Sequence, residues 1–196
     1  TLTREARTIL GADLTISTNR PWDAAVLEKI NARLATVPIL QRLEETETLS
    51  MVRPADTSKA VARLAELHGV QAGFPLYGRI ALDGGVRYSH ALLQGRGVLV
   101  RPELLAQLGV GVGDDLVIGV QRFTIRGVVA AEPGRGTGAF SFGSRVFVDL
   151  DDLKGTGLLT YGSRASHRIL LRIADARADL LARELRGASD GEFVSF

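Results

Sequence analysis

The stretch that decides the fold is Gly97–Val129, GVLVRPELLAQLGVGVGDDLVIGVQRFTIRGVV. It opens with small apolar residues, which predict a short buried strand. Pro102 then begins a short helix that we expect to end at Leu108, because proline is favoured in a first turn and Glu103 suits the positive end of the helix dipole.

The second half of this stretch predicts a hairpin. Gly109–Gly113 is a glycine-rich turn, and two apolar runs follow it, Leu116–Val120 and Phe123–Val129. We expect these runs to pair as antiparallel strands that turn at Gln121-Arg122.

Short strands with glycine turns continue on both sides of the hairpin. Gly73–Gly78, GFPLYG, marks a boundary, and the predicted strand Arg79–Leu82 ends in the turn Asp83–Gly85. Arg145–Asp149 is a further predicted strand, and a short helix follows it at residues 150–154. The middle of the chain is therefore predicted to be mainly β.

The N-terminal part has longer elements. A strand is predicted at residues 13–18, and Asn19–Asp23 favours the start of a helix with Pro21 in its first turn. Pro38 stops this helix. Its apolar stripe has a spacing near 3.6 and consists of Leu27, Ile30, Leu34 and Val37.

The next two segments differ in how clearly they can be assigned. Residues 40–53 predict a strand whose Glu-rich start we expect to face solvent. Residues 59–70 fit a helix through Val61, Leu64 and Leu67, but they also fit a strand, and the pattern alone does not decide.

The C-terminal part is predicted as strand, helix and strand, at residues 166–173, 175–186 and 192–196. Because a strand stands at the very end and the chain begins at Thr1 without Met, we expect it to be a piece of a longer protein. The two ends together predict an α/β unit, with the mainly β middle as an insertion.

Composition excludes several classes of protein. The 196 residues include 24 basic and 22 acidic side chains, and the arginines are scattered singly, so no nucleic-acid partner is expected. The absence of cysteine excludes disulfides and thiol chemistry. No run approaches the roughly 20 apolar residues that a membrane span needs.

The sequence holds no convincing catalytic or metal motif. Gly187–Gly191, GASDG, matches Gly-x-Ser-x-Gly, but a nucleophile elbow needs a strand before it and a helix after it, the reverse of the predicted order. His68, His90 and His167 lack metal-site spacing, so we expect surface or edge positions and no metal or cofactor. Acids at residues 113–115 and 149–152 are expected to serve turns and helix caps.

The glycine-rich loop that starts at Glu132 is the candidate contact site. It lacks the Gly-Lys-Ser/Thr of a phosphate loop and opens no predicted helix. Since function concentrates in such loops, we expect it to contact a partner. The candidate residues are Arg135, Gly136, Phe140 and Phe142.

The order of these segments resembles the periplasmic core domain of MacB/FtsX-type ABC-transporter permeases, and most of all YbbP-like permeases. Gly73–Gly78 matches a Gly-Tyr/Phe-Pro-Leu-Tyr-Gly segment of that group, and Gly97–Val129 follows in the same order. The match also includes residues 10–17, and Thr156–Leu158 near Gly162–Arg164.

The resemblance implies an α+β fold of two subdomains. Residues 1–75 and 155–196 would form a porter-like α/β subdomain, and residues 76–154 an inserted, mainly β, Sabre-like subdomain. It also favours a strand at residues 62–70.

The resemblance further implies a role between the first two transmembrane helices of a bacterial inner-membrane permease, which would be a dimer. A separate cytoplasmic ABC ATPase subunit would hydrolyse ATP, and this periplasmic domain would pass the motion to a periplasmic protein or lipid-like substrate. It would be non-catalytic itself and would need no cofactor.

Two other functions stay open on the residues alone. One is a stand-alone serine hydrolase that uses Ser189 or Ser166 with His167 or His90. The other is a domain that binds a small hydrophobic ligand in a cleft between the subdomains.

Overall fold

The computed structural model describes residues 12–132, 143–160, 163–174, 181, 183–185 and 194–195. Within these ranges no helix is both long enough and apolar enough to cross a membrane. The strands are β1 (Leu14–Thr18), β2 (Ile39–Pro54), β3 (Arg63–Val70), β4 (Ala81–Leu82), β5 (Gly97–Val100), β6 (Asp115–Ile118), β7 (Gln121–Ala131), β8 (Ser144–Asp149), β9 (Ala165–Ile173) and β10 (Val194–Ser195). The α-helices are α1 (Ala24–Leu34), α2 (Pro102–Leu108) and α3 (Leu150–Lys154), and 3-10 turns lie at Asp83–Gly85 and His90–Leu92.

All the strands join one mixed sheet, in the order β10-β1-β9-β2-β3-β8-β5-β7-β4, with β6 pairing to both β2 and β7. Most pairs are antiparallel, but β3 runs parallel to β8 and β5 runs parallel to β7. The long strand β2 is central to the sheet, because it pairs with three other strands, β9, β3 and β6.

Six of these strands close into a ring. The pairings run from β2 through β3, β8, β5, β7 and β6 and return to β2, where Val52 lies opposite Ile118. Every strand of the ring contributes to one apolar core, which α2 and α3 also cover. Side chains that alternate along a strand point to opposite faces, so one face of each strand fills this core.

A second core belongs to the chain ends. α1 packs its stripe, with Ile30 and Leu34 buried, against β1 and β9. Leu181 and Leu185 join the same core, and the described residues 181 and 183–185 are helical, in agreement with the helix predicted there.

The mixed α+β fold class is confirmed, and so are the elements with clear end signals. α2 begins at Pro102 and ends before Gly109, whose φ of 65° places it in the left-handed region that glycine adopts readily. α3 covers the predicted residues 150–154, and the ambiguous segment forms a strand, β3.

Two local predictions are wrong in detail. α1 begins at Ala24, with Asp23 as its N-cap, so Pro21 lies before the helix and not in its first turn. The β6–β7 hairpin turns at Gly119-Val120, because Gln121 already pairs with Ile118.

Candidate functional site

Most of the candidate contact loop lies outside the described residues. Arg135, Gly136, Phe140 and Phe142 lie outside the described residues, as do Ser189 and the rest of the Gly187–Gly191 string. The described residues that flank the loop are Glu132, after β7, and Gly143, before β8.

The described residues instead bring together a buried charged cluster that the sequence reasoning missed. It starts at the Glu-rich part of β2, where Glu45 and Glu47 share one face because strand side chains alternate. Register places Glu45 opposite Arg168 on β9 and Glu47 opposite His68 on β3. The cluster continues along the same face to Glu66 of β3 and Arg145 of β8, which are opposite each other in the parallel pair.

Arg168 joins the two carboxylates on β2. Its Nη1 donates to Glu45 Oε1 at 3.1 Å, and its Nη2 lies 2.8 Å from Glu47 Oε2. His68 approaches from the other side, with Nε2 at 2.8 Å from Glu45 Oε2 and 3.7 Å from Glu47 Oε1. Glu45 and His68 are each about 95% buried, at 5% and 4% side-chain exposure.

Arg145 extends the cluster through three acids. Its Nη2 donates to Glu66 Oε1 at 2.7 Å and to Glu47 Oε1 at 3.2 Å, and its Nη1 donates to Glu132 Oε2 at 3.3 Å. Glu47 is therefore shared by two guanidinium groups. Bonds between charged partners are the stronger kind in proteins, so this cluster ties β2, β3, β8 and β9 together by side chains.

Electrostatics favour the charged forms of Glu45, Arg145 and Arg168. Burial opposes the charge on Glu45, but His68 and Arg168 outweigh it, and the pKa of Glu45 is lowered to about 2. Burial likewise opposes the charge on Arg145, yet Glu132, Glu47 and Glu66 raise its pKa. The pKa of Arg168 is also raised, because Glu47 and Glu45 outweigh its burial.

The expectation that the Glu-rich start of β2 faces solvent is therefore wrong. Glu45 is buried and Glu47 is nearly so, while Glu44 on the opposite face is partly exposed and pairs with Arg42 at 3.3 Å. Partners from three other strands supply the charges that make this burial possible.

Three members of the cluster are also the residue types of a metal site. Glu45, Glu47 and His68 each offer a ligand atom, and the three atoms lie within 4.8 Å of one another. In this structure the carboxylate oxygens already contact Arg168, His68 and Arg145. A cation would have to displace guanidinium groups, so the arrangement fits an ion-pair network better than a metal centre.

The histidines depart from the predicted surface or edge positions. His68 is buried at 3% exposure in the middle of the sheet. His90 Nε2 lies 2.7 Å from Asp149 Oδ2, and only 12% of its side chain is exposed. His167 is partly buried, with Nδ1 at 2.9 Å from Thr46 Oγ1, and burial, followed by Lys154, lowers its pKa.

Asp149 and Asp114 serve a helix cap and a turn, as expected, whereas Asp115 Oδ1 accepts from Thr124 Oγ1 and Asp152 Oδ2 from the backbone N–H of Arg96. Asp149 Oδ1 accepts from the backbone N–H groups of Asp151 and Asp152 and so caps α3. Asp114 Oδ2 accepts from the backbone N–H of Gly111 at 2.9 Å. Asp149 also contributes to the environment of Tyr88, whose pKa burial raises to about 12.

Geometry gives the hydrolase alternative little support. Ser166 and His167 are neighbours on β9 and pair with Glu47 and Thr46 respectively, so their side chains point to opposite faces of the sheet. His90 is held by Asp149 on β8.

The Gly73–Gly78 segment packs against the charged cluster. The ring of Phe74 meets the ring of His68 edge-on, with 5.2 Å between centroids, and the ring of Phe147 lies 5.2 Å from His68 on another side. Tyr77 Oη donates to Asp13 Oδ2 at 2.7 Å, next to β1. The predicted boundary segment is therefore bound to the sheet at both of its aromatic residues.

An exposed apolar patch lies beyond the cluster on the same face of β2 and β3. Met51 and Leu64 are directly opposite in register, and Leu49 is two residues along β2. All are more than 40% exposed. Scattered exposed apolar residues are common on proteins, but three contiguous ones form a small patch.

Comparison with known proteins shows which protein family the chain matches. A family sequence profile described as MacB-like periplasmic core domain matches residues 4–188. No curated protein sequence matches the chain.

Two solved structures are similar across nearly the whole chain. The extracellular domain of the noncanonical ABC-type transporter YknZ from Gram-positive bacteria is 15% identical, with a TM-score of 0.57, over 93% of this chain and 98% of that one. The periplasmic region of MacB from Actinobacillus actinomycetemcomitans is 13% identical, with a TM-score of 0.55, over 97% of this chain and 91% of that one. At these identities the likeness concerns the fold.

A third solved structure is a domain of a putative permease protein from Porphyromonas gingivalis. It is 15% identical, with a TM-score of 0.50, over 84% of this chain and 73% of that one.

Proposed function

The chain belongs to the family of MacB-like periplasmic core domains, and we propose that it is the non-catalytic extracytoplasmic domain of an ABC-transporter permease in a bacterial inner membrane. In this proposal a separate cytoplasmic ATPase subunit hydrolyses ATP, and the domain passes the motion to a periplasmic protein or lipid-like substrate. The observation that carries the proposal is the family match over residues 4–188, which covers strands β1 to β9.

The pairing of β1 with β10 supports this placement. Ser17 lies opposite Ser195 and Thr18 opposite Val194, so segments near the two ends of the chain are neighbours at one edge of the sheet. A domain inserted between two adjacent membrane helices needs its entrance and exit close together, which this pairing provides.

We propose the division into subdomains that the sequence resemblance implies, with residues 1–75 and 155–196 in one subdomain and residues 76–154 in the other. The core of the chain ends supports it, because all its buried residues belong to residues 1–75 or 155–196. The core of the strand ring crosses the division, since Val52, Ala65 and Leu67 of β2 and β3 belong to it. β3 and β8 lie on opposite sides of this division and share a ladder of six residue pairs, from Ala65–Ser144 to Val70–Asp149. Motion at one subdomain would therefore reach the other through a continuous sheet.

We also propose that Arg135, Gly136, Phe140 and Phe142 contact the periplasmic partner, and that the parent permease is a dimer. The position of Glu132 supports the first part, since the ion pair with Arg145 fixes the start of this loop on the charged cluster. A loop anchored on a rigid sheet is a common arrangement for partner binding.

The test attaches a single spin label to this domain in the complete permease with its ATPase subunit, in lipid nanodiscs. The domain has no cysteine of its own, so Val86→Cys gives a single labelling site once any cysteines elsewhere in the permease and its ATPase subunit are replaced, and Val86 is 51% exposed. Pulsed electron-spin measurements would give the distance between the labels of two protomers, without nucleotide and with ATP trapped by an inactive ATPase subunit. We expect one interprotomer distance in each state and a change between the states.

The outcomes separate the parts of the proposal. An interprotomer distance that does not change with nucleotide would contradict mechanical coupling, and a missing interprotomer distance would contradict the dimer. A label at Val112, which is 61% exposed on the ring side, serves as the matched second site. If the parent chain has no membrane helices flanking residues 1 and 196, the whole proposal fails.

A further inference from the structure

The exposed apolar patch of Leu49, Met51 and Leu64 has no role in the function proposed above. Seven large apolar side chains are strongly exposed among the described residues, and strand register joins these three. A fourth, Val120, stands in the β6–β7 turn at 82% exposure, and this turn follows the end of β6 that pairs with Val52, next to Met51. Most of the exposed apolar side chains are therefore concentrated at one place on the sheet, which is typical of an interaction site.

Two arginines border the patch beyond Met51. Arg53 is two residues farther on the same face of β2, and register carries Arg122 of β7 to that face, since both lie opposite Val117 of β6. Both arginines are exposed, and neither forms an ion pair with a described residue. Arg53 Nη1 donates to the Pro54 carbonyl oxygen at 3.4 Å, so its position beside the patch is held by the backbone and not by an acid.

A third arginine stands at the opposite end of the patch. Arg164 comes just before β9, and its carbonyl oxygen accepts a hydrogen bond from Thr48 Oγ1 at 3.4 Å, next to Leu49. Its side chain is exposed and forms no ion pair within the part of the chain that the structure describes. The apolar side chains thus have uncompensated cations at both ends.

The acids on this face do not neutralise the three arginines. Glu47 and Glu66 both pair with Arg145, at 3.2 Å and 2.7 Å. Asp115 lies opposite Thr124 and accepts from its hydroxyl at 2.7 Å. The surface is therefore apolar at its centre and carries an excess of positive charge at its rim.

The patch lies far from the end of the sheet where β1 starts. Leu14, the first residue of β1, is level with Arg42 of β2, because both pair with Leu171. Met51 is nine residues beyond Arg42 along β2, which corresponds to about 30 Å of extended strand. Because β10 is antiparallel to β1, the start of β1 and the end of β10 point to the same end of the sheet. In the membrane placement proposed above, the patch therefore faces away from the bilayer, where a soluble protein can reach it.

We propose that this surface binds a segment of a soluble extracytoplasmic protein that carries apolar side chains among acidic ones. The apolar side chains would cover Leu49, Met51 and Leu64, and the carboxylates would pair with the arginines at the rim. Such an arrangement, apolar at the centre and charged at the edge, is usual for protein interfaces, and the charges select the partner. The inference rests on the proposed extracytoplasmic placement and deepens it by naming a surface and the chemistry of its partner.

Two other occupants fit this surface less well. A second copy of the chain that used the same patch in a twofold interface would bring the same uncompensated arginines against Arg53, Arg122 and Arg164, and like charges repel across an interface. An anionic lipid surface would suit the charge, but the patch lies about 30 Å along β2 from the membrane end of the sheet.

The experiment uses Met51 as its reporter in the full 196-residue chain. Met51 is the single methionine, so isotope labelling of methionine methyl groups gives one NMR signal, and that signal lies inside the patch. The probe is a short soluble peptide with leucines spaced among glutamates. We expect it to shift the Met51 signal saturably, and the same peptide with lysine in place of glutamate to bind at least about fivefold more weakly. Raising the salt concentration from about 0.05 M to about 0.5 M should weaken the glutamate peptide several-fold, because exposed charges are screened.

Two variants separate the apolar contribution from the charged one. Leu64→Asp places an acid opposite Met51 and should weaken the glutamate peptide at least about tenfold. Leu40→Asp is its matched control, because Leu40 is 62% exposed on the same strand but outside the patch, and it should bind as the wild type does. The double variant Arg53→Gln and Arg122→Gln should lose the preference for glutamate over lysine, while Arg87→Gln, an exposed arginine elsewhere, should keep it.

Several outcomes would overturn the proposal. The Met51 signal would not respond to the glutamate peptide, the lysine peptide would bind equally well, or Leu40→Asp would weaken binding as much as Leu64→Asp. A response to vesicles of anionic lipid without a response to the peptide would assign the surface to a membrane. A signal that moves with the concentration of the chain alone would assign it to self-association. None of these measurements involves ATP or the membrane helices, so failure here leaves the transporter role to the label-distance test.

Discussion

Glu45 is the residue whose contribution to stability can be worked out most fully. Replacing it by glutamine keeps the size of the side chain and removes the charge. Arg168 would retain Glu47, but His68 would lose its anionic acceptor at 2.8 Å. We therefore expect Glu45→Gln to destabilise the folded domain at neutral pH.

The size of the effect follows from the pKa of Glu45. The folded-state pKa is about 2, against 4.5 for the unperturbed group. Because the folded value is depressed, the charge stabilises the fold above the unfolded pKa, and this stability is lost as pH falls through the window from 4.5 to about 2. A shift of this size corresponds to about 3 kcal/mol at pH 7 and about 1 kcal/mol near pH 3.

The assay is urea unfolding of wild type and Glu45→Gln at a series of pH values from neutral to about 3. The difference in the free energy of unfolding should be about 3 kcal/mol at neutral pH and should shrink by about 2 kcal/mol on acidification. The matched control is Glu44→Gln, which removes a pair with Arg42 on the opposite face of β2, where both side chains are about one-third exposed. That change should cost less than about 1 kcal/mol.

A wild-type advantage over Glu45→Gln that stays constant from neutral pH to pH 3 would refute the reasoning. It would mean that the stabilisation comes from shape and packing, since those do not titrate. An equal loss for Glu44→Gln and Glu45→Gln would likewise contradict the assignment of the effect to burial.

Three further outcomes can be checked by unfolding of single variants. Gly119→Ala should lower the free energy of unfolding by about 3 kcal/mol, because φ is 57° and an added Cβ would stand 2.2 Å from the Thr156 carbonyl oxygen. Gly109 has a similar φ of 65° but open space around it, so Gly109→Ala should lower the free energy of unfolding by only about 1 kcal/mol. Similar losses for the two would contradict the steric part. Asp23→Ala should cost about 1 kcal/mol by removing the α1 cap, whose Oδ1 accepts from two backbone N–H groups, and an unchanged midpoint would count against that cap. Burial lowers the pKa of His167, so its protonation opposes folding and the wild type should lose stability as the pH falls below about 6.5. His167→Gln should lose less stability over this range. An equally steep loss in the variant would exclude His167 as its source.

The elements that could be predicted from sequence are those whose ends are set by local chemistry. α2 lies between Pro102 and Gly109, and α3 follows the cap Asp149, so short-range signals fix both helices. The sequence prediction places the β6–β7 turn at Gln121-Arg122, two residues too late, because the local pattern allows a turn at either position. Only the positive φ of Gly119 and its close approach to Thr156 decide between them.

The charged cluster could not be predicted in the same way, because its partners are distant in sequence. Glu45 and Arg168 are 123 residues apart, and Glu47 and Arg145 are 98 apart. Consecutive glutamates on a strand normally indicate a solvent-facing edge, and nothing local distinguishes Glu45 from Glu44. The one available signal was charge at face-sharing positions of other predicted strands, namely Arg168 among the apolar residues of β9 and His68 in β3.

The cost of burying these charges suggests what they contribute. A buried ion network is often no more stable than apolar residues of the same volume, so stability alone does not explain it. A shift of β2 by one residue against β9 would turn Glu45 and Glu47 to the other face, away from Arg145 and Arg168, so the slipped register would leave both guanidinium groups without these carboxylates. The network therefore penalises wrong registers of the strand that pairs with β9, β3 and β6 at once. Glu45→Gln tests this inference too, because removal of the charge lowers the penalty for slippage, which would appear as faster amide exchange along β2 and β9 in the folded chain.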